Sequence, residues 1–260
     1  MKNQYFGDRR DFFKYDLLLD LVEGHGSRKL TFIPMLTPND GSAEGTLTHY
    51  DCGERRQSLC EFLQAAVTSR QRDIRLLHQI MPQFQVEFRC HCDNHYLLNQ
   101  DRDRYFDSLP PEWLAESVVF LDPDIGLQTG NNGYMRRKGF EKYLTYAELS
   151  RVCSRTSGSS VVIVYQHLQR NAKRHLSDLE HRLEDLRAHI PAAGLWAIRQ
   201  GDLAFLILIQ DRMRARQIEH SLATHARRHG LQLIQTPASS CSLDAKLSEL
   251  SISVPSNQVR

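Results

Sequence analysis

Residues Ser117-Val118-Val119-Phe120-Leu121-Asp122-Pro123-Asp124-Ile125-Gly126 decide how this chain is read, because a fully apolar run ends there at two carboxylates. A short run rich in β-branched and aromatic residues, closed by Pro and Gly, predicts a buried parallel strand that delivers its last side chains to a sheet edge. Open α/β sheets bind ligands outside the carboxyl ends of their strands. Asp122, Pro123 and Asp124 are therefore candidate catalytic residues, and Gly126 a candidate substrate contact. The competing reading is an ordinary Asp-Pro-Asp turn.

Working outward, element types alternate along the chain. Upstream, Asp11 to Glu23 carries Phe12, Tyr15, Leu18, Leu19 and Val22 on one helical stripe, with Gly24 and Gly26 as a stop. Leu30 to Leu36 reads as a buried strand. The loop after it, Thr37-Pro38-Asn39-Asp40-Gly41-Ser42-Ala43-Glu44-Gly45, has dense turn chemistry and is a candidate ligand loop. Arg55 to Ser69 and Ile74 to Met81 read as helices, Gln85 to Cys90 as a strand, and Asp101 to Leu109 as a weaker helix ending at Pro110-Pro111.

Downstream, Gln128 to Gly139 is a polar, Gly-rich excursion with the character of a lid, and its Arg136-Arg137-Lys138 run is either a solvated face or a grip on a phosphate backbone. Thr145 caps a helix, and Ser160 to Gln166 forms a second buried strand. That strand places His167 at its end as a candidate general base. Ala172 to His189 is a long charged helix with a stripe of Leu176, Leu179, Leu183 and Leu186. Leu195 to Arg199 and Ala204 to Gln210 are strands joined by Gln200-Gly201-Asp202, a link short enough to make them antiparallel, and Arg214 to His229 is the final helix. The expected fold is α/β: a doubly wound, mostly parallel, Rossmann-like sheet with an antiparallel edge strand, in one domain over residues 1–235. A polar, Ser-rich tail follows over 236–260.

At 260 residues the chain can bury a substantial core. Its formal charge of +2 gives no global basic field of the kind that advertises non-specific nucleic-acid binding. No stretch has the apolar length of a membrane span, and the first residues lack the apolar segment of a secretory signal, so a soluble, cytoplasmic protein without membrane partners is expected. The six cysteines are scattered, which predicts reduced thiols. The cluster Cys90-His91-Cys92-Asp93-Asn94-His95 has zinc-ligand types at a spacing unlike common zinc sites.

The opening Asn3-Gln4-Tyr5-Phe6-Gly7-Asp8-Arg9-Arg10-Asp11-Phe12-Phe13-Lys14-Tyr15 resembles the start of a bacterial 23S ribosomal RNA adenine-N6 methyltransferase family, with Asp11-x-x-Lys14-Tyr15 in register with an Asp-x-x-Lys-His pattern. Leu121-Asp122-Pro123-Asp124 stands where amino-group methyltransferases carry Asp-Pro-Pro-Tyr. The resemblance covers roughly residues 1–230 in organisation and two short motifs in identity. The chain also resembles uncharacterised bacterial proteins that share the Asn-Gln-Tyr-Phe-Gly-Asp opening. The resemblance implies a class I methyltransferase architecture with S-adenosylmethionine as cofactor and a nucleic acid or nucleobase-like substrate. Lys14 and Asp11, with Asn39, Asp40 and Gly41 in the loop after Leu36, would then bind the cofactor. Asn3, Tyr5, Asp8 and Gly126 would contact substrate, and Asp122 with the Pro123 carbonyl would accept from the target amine. Two departures stand out: Thr37-Pro38-Asn39-Asp40-Gly41 lacks a tight Gly-x-Gly turn, and Asp124 and Ile125 replace the second Pro and the aromatic residue.

A second reading gathers Asp8, Asp11, Asp122 and Asp124 around Mg2+ or Mn2+ in a metal-dependent phosphoesterase or nuclease, with Lys14 stabilising phosphate charge. A third is a catalytically degenerate scaffold kept as a binding module. The structural alternatives are plain: Asp8 and Asp11 as helix caps, Tyr5, Phe6, Phe12 and Tyr15 as core, Lys14 as a solvated side chain, and His167 bonded to a nearby carbonyl.

Overall fold

The computed structural model describes residues 1–41, 45–52, 54–169 and 171–235. The Ser42 to Glu44 part of the candidate ligand loop, Cys241 and the 236–260 tail lie outside the described residues.

Among the described residues nine strands form: β1 (Lys29–Pro34), β2 (Glu87–Cys90), β3 (Val118–Asp122), β4 (Gly126–Leu127), β5 (Tyr143–Leu144), β6 (Val161–His167), β7 (Gly194–Gln200), β8 (Leu203–Ile209) and β9 (Gln232–Gln235). The helices are α1 (Arg9–His25), α2 (Gln57–Thr68), α3 (Leu77–Ile80), α4 (Arg102–Asp107), α5 (Pro111–Leu114), α6 (Asn132–Lys138), α7 (Tyr146–Arg155), α8 (His175–His189) and α9 (Arg212–His229). Seven strands make one sheet in the order β2-β1-β3-β6-β8-β7-β9, while β4 and β5 pair separately. The first four are parallel, with Leu30 opposite Val118, Pro34 opposite Asp122, and Val118 opposite Val161. The chain moves from β1 outward to β2, then returns to place β3 on the other side of β1. The strand order therefore reverses at β1 and β3, where a crevice opens at their carboxyl ends.

Period-two alternation sends the strand side chains to two cores. Leu30, Phe32, Val118, Phe120, Ile163 and Phe205 join α1, α2 and α9 on one face, whereas Ile33, Val119, Leu121, Val164 and Leu206 join α4, α7 and α8 on the other. Helices thus cover both faces of a mostly parallel, Rossmann-like sheet. Asp122 continues the Val118 and Phe120 face, so it is delivered toward α1.

Four expectations are corrected. An antiparallel edge strand is present, but it is β9, antiparallel to β7, and not a strand of the β7–β8 hairpin, whose β8 lies inside the sheet between β6 and β7 and is antiparallel to both. The reason is composition, since Leu-Ala-Phe-Leu-Ile-Leu-Ile in β8 is buried on both faces while β7 ends at the half-buried Arg199 and Gln200. The α8 stripe buries Leu179, Leu183 and Leu186, but Leu176 is 42% exposed, one turn before the helix meets the sheet. Reduced thiols throughout are not what the structure shows: Cys52 and Cys60 form a disulfide because the segment before α2 folds back along it, bringing their Cα atoms to 5.5 Å. Finally, the lid-like excursion contains α6, capped by Asn131, whose side chain accepts from the Tyr134 N–H. The Arg136-Arg137-Lys138 run occupies its last turn, where the helix dipole favours cations.

Phe205 in β8 is fully buried, with its ring 5.5 Å from that of Phe13 and close to those of Phe120 and Tyr165. Phe205→Ala is expected to cost about 3–5 kcal/mol. Urea denaturation measures this, and a loss below 1 kcal/mol would contradict a close-packed central strand.

Candidate functional site

The site is built from the start of α1 and the end of β3. Asp8 is the N-cap of α1 and accepts from the backbone N–H of Arg10 and Asp11, at 2.9 and 3.0 Å. Its capping role is therefore real, and it leaves the side chain facing the crevice. Asp11, in the first turn, accepts from Gly7 N–H at 3.2 Å and from the Lys14 ammonium at 2.9 Å. Lys14 is 4% exposed, not solvated, and its Nζ also donates to Asp122 Oδ2 at 2.7 Å. Tyr165 places its ring 5.2 Å from the same ammonium. Burial would lower the Lys14 pKa, but Asp11 and Asp122 outweigh it and raise the value, so Lys14 stays charged.

These residues line one crevice with Met1, Tyr5, Arg10, Pro123, Asp124 and His167. Most of the predicted constellation is thus brought together. The cavity is about 40 Å³, enough for a few waters and far below the several hundred Å³ of small-molecule pockets.

Asp124 has its own set of cations. The Met1 ammonium lies 3.7 Å away, Lys2 Nζ donates at 3.0 Å, and Lys142 is at 4.0 Å. Burial pushes the Asp124 carboxyl up, and the Met1 and Lys2 charges more than reverse this to hold it below the usual range. The Met1 ammonium also donates to the carbonyls of Met35 and Asp122, so the first residues lie over the ends of β1 and β3.

His167 contacts the Leu168 carbonyl through Nδ1 at 3.1 Å, and its Nε2 is 3.7 Å from Asp202, which also accepts from Arg10 at 2.7 Å. Its position at the mouth is compatible with a base, and the carbonyl contact anticipated for it is present. Asn3 is turned away from the crevice: its Oδ1 accepts from the Ile74 N–H. Asn39 accepts from Gln4 N–H, and Asp40 pairs with Lys2 at 2.9 Å, so the described part of the candidate ligand loop packs on the N-terminal turn. Gly41 there is exposed. Gly126 has a φ of +134°, and a Cβ on it would meet the Gln166 amide at 2.5 Å. That amide instead accepts from Leu127 N–H and donates to the His167 carbonyl, so Gly126 shapes the strand end from behind.

The metal reading is not supported by the arrangement. Among the described residues, Asp8, Asp11, Asp122 and Asp124 do not converge at metal-ligand spacing, and Lys14 fills the place between Asp11 and Asp122 that a cation would take. Nor does the Cys90 to His95 segment converge: His91 bonds the Tyr105 carbonyl at 2.8 Å, and Cys90 is a buried free thiol. Lys2, Arg10 and Tyr165 were not anticipated as site residues. Tyr165 carried a signal, two positions before His167 at the same strand end, whereas nothing local marks Lys2 as a partner for an acid 122 positions away.

Comparison with protein-family models, curated proteins and solved structures finds no match.

Two substitutions test the electrostatics. Lys14→Ala leaves Asp11 and Asp122 buried without their shared cation and is expected to destabilise the fold by roughly 3–5 kcal/mol in urea unfolding, whereas a loss under 1 kcal/mol would show that the pair is dispensable. Burial and the neighbouring Asp11 charge push Asp8 up to about 6 from an ordinary 3.8. The folded chain holds this proton more tightly than the unfolded one, so the contribution is present below pH 3.8 and is lost as pH rises through 6. Asn caps a helix equally well and does not titrate. Asp8→Asn should therefore gain stability relative to the parent as pH rises across this window, and parallel pH profiles would refute the assignment.

Proposed function

We propose that this chain is an S-adenosylmethionine-dependent methyltransferase-like protein acting on a nucleic acid or a nucleobase-like substrate, with class I methyltransferase architecture. The observation that carries the reading is the position of Asp122-Pro123-Asp124 at the carboxyl end of β3, where the strand order reverses, opposite Asp11 and Lys14 of α1. Ligands of open α/β sheets bind at such a point.

The donor set suits amine methylation. Asp122 Oδ2 is held by Lys14, which fixes the carboxylate and leaves Oδ1 as the oxygen for an incoming amine. A fixed carboxylate orients the nitrogen and favours the positive charge that develops on it. S-adenosylmethionine would supply the sulfonium methyl group. The volume is a different matter: about 40 Å³ does not hold this cofactor while Met1 and Lys2 cover the ends of β1 and β3. Admission would require that segment to withdraw, breaking the Lys2 contacts to Asp40 and Asp124.

The same small, charge-compensated crevice favours a second reading, a degenerate methyltransferase scaffold retained as a binding module. Calorimetric titration of the full chain with S-adenosylmethionine separates the two. Methyl transfer predicts saturable binding that is lost in Lys14→Met, with folding of the variant verified by thermal unfolding. No saturable binding by well-folded parent protein would sink the first reading and leave the second.

A further inference from the structure

Another face of α1, the one turned toward α9, carries a cluster that the β3 crevice does not use. His225 and His229 stand four residues apart on one face of α9, which packs against α1 at Asp16 and Asp20. One oxygen of Asp16 and one ring nitrogen of each histidine lie within 4.8 Å of one another, the only such set of ligand atoms among the described residues. His229 Nε2 is 3.0 Å from Asp16 Oδ2, and Asp16 Oδ1 is held by Arg56 Nε at 3.0 Å. His225 Nδ1 is 2.8 Å from Asp20 Oδ2, which Arg228 also contacts at 2.6 Å, while Arg55 and Arg56 hold Oδ1 of Asp20.

The decisive atom is His225 Nε2. His225 is fully buried, yet this nitrogen has no hydrogen-bond partner. A buried ring nitrogen without a partner carries a desolvation penalty of roughly 1–3 kcal/mol. Its other nitrogen is paired to a carboxylate, which is how metal-ligating histidines are commonly oriented: the carboxylate takes Nδ1–H and the Nε2 lone pair is left for the ion. Asp16 and His229 also line a cavity of about 370 Å³ with Arg9, Phe12, His49 and Gln200. Three protein ligands beside an open cavity leave coordination positions for water, as in catalytic rather than structural zinc sites.

We propose that His225 Nε2, His229 Nε2 and Asp16 Oδ2 form a binding site for a divalent first-row cation of the Zn2+ class. Two imidazoles and one carboxylate select such an ion over Mg2+ or Ca2+, which prefer all-oxygen shells. The ion takes the place of the His229 to Asp16 contact and satisfies His225 Nε2. The Arg56 contact stays on the other oxygen of Asp16.

The test uses the full chain, stripped with chelator and titrated with Zn2+ alone and Co2+ alone. The expected result is one equivalent of Zn2+ and a rise in melting temperature that depends on Zn2+ concentration. Co2+ should give the visible absorption of a low-coordinate complex. His229→Ala, at an exposed position that tolerates truncation, and Asp16→Asn should each weaken Zn2+ binding at least tenfold while remaining folded. Absence of stoichiometric binding by folded protein overturns the site. So does binding that survives both substitutions, or that disappears only when Cys90 and Cys92 are replaced by Ser.

Discussion

The ammonium of Lys14, held between Asp11 and Asp122, is the contact on which the upper half of the structure depends. A buried charge costs several kcal/mol of desolvation, and only close, well-oriented partners offset it. Lys14 has two, one from its own helix and one from the end of β3. Their geometry fixes where α1 meets the sheet, because the ammonium cannot reach both oxygens from any other turn of the helix. Asp8, capping the same helix, and Asp124, two residues beyond Asp122, are then drawn into the same small volume. Met1 and Lys2 close it.

Much of this was legible in the sequence, and the limits have physical causes. The strands with apolar runs, β1, β3, β6 and β8, announced themselves because a strand buried on both faces leaves no polar alternation to misread. The internal position of β8 was implicit in its unbroken apolar sequence, although a hairpin at the end of a doubly wound chain invites an edge assignment. β9 has only Leu233 and Ile234 as apolar residues and little local signal; it exists because β7 offers an unpaired edge. On α1, a stripe of Phe12, Tyr15, Leu18, Leu19 and Val22 suggested one buried face. The helix is instead buried on several sides, including at Asp16 and Asp20. Those acids look like a solvated face because the arginines that neutralise them, Arg55 and Arg56, lie beyond β1, 35 to 40 positions further along the chain.

The crevice residues divide in the same way. Asp122, Pro123, Asp124 and His167 could be found from strand ends, and Asp8, Asp11 and Lys14 from the opening motif. Asn3 could not be separated from them by sequence, since its neighbours Tyr5 and Asp8 do reach the crevice; its side chain turns to cap the Ile74 segment instead. The puzzle of Asp124 is resolved by partners rather than by type. An acid in place of the second proline makes sense where two cations from the chain's first residues converge on it.

Two faces of α1 show how complete satisfaction separates a structural charge cluster from a site that awaits a ligand. At the β3 end, Asp11, Lys14, Asp122 and Asp124 each have an opposite charge at hydrogen-bond or ion-pair distance, and the remaining space is small. On the face toward α9, Asp16 and Asp20 are equally well served by arginines, but the lone pair of His225 Nε2 is not, and the neighbouring space is large. Asp16, Asp20 and His229 beside this nitrogen all have partners, whereas a leucine in place of His225 would carry no unpaired lone pair. The imidazole is best accounted for by the chemistry of the atom that is left over.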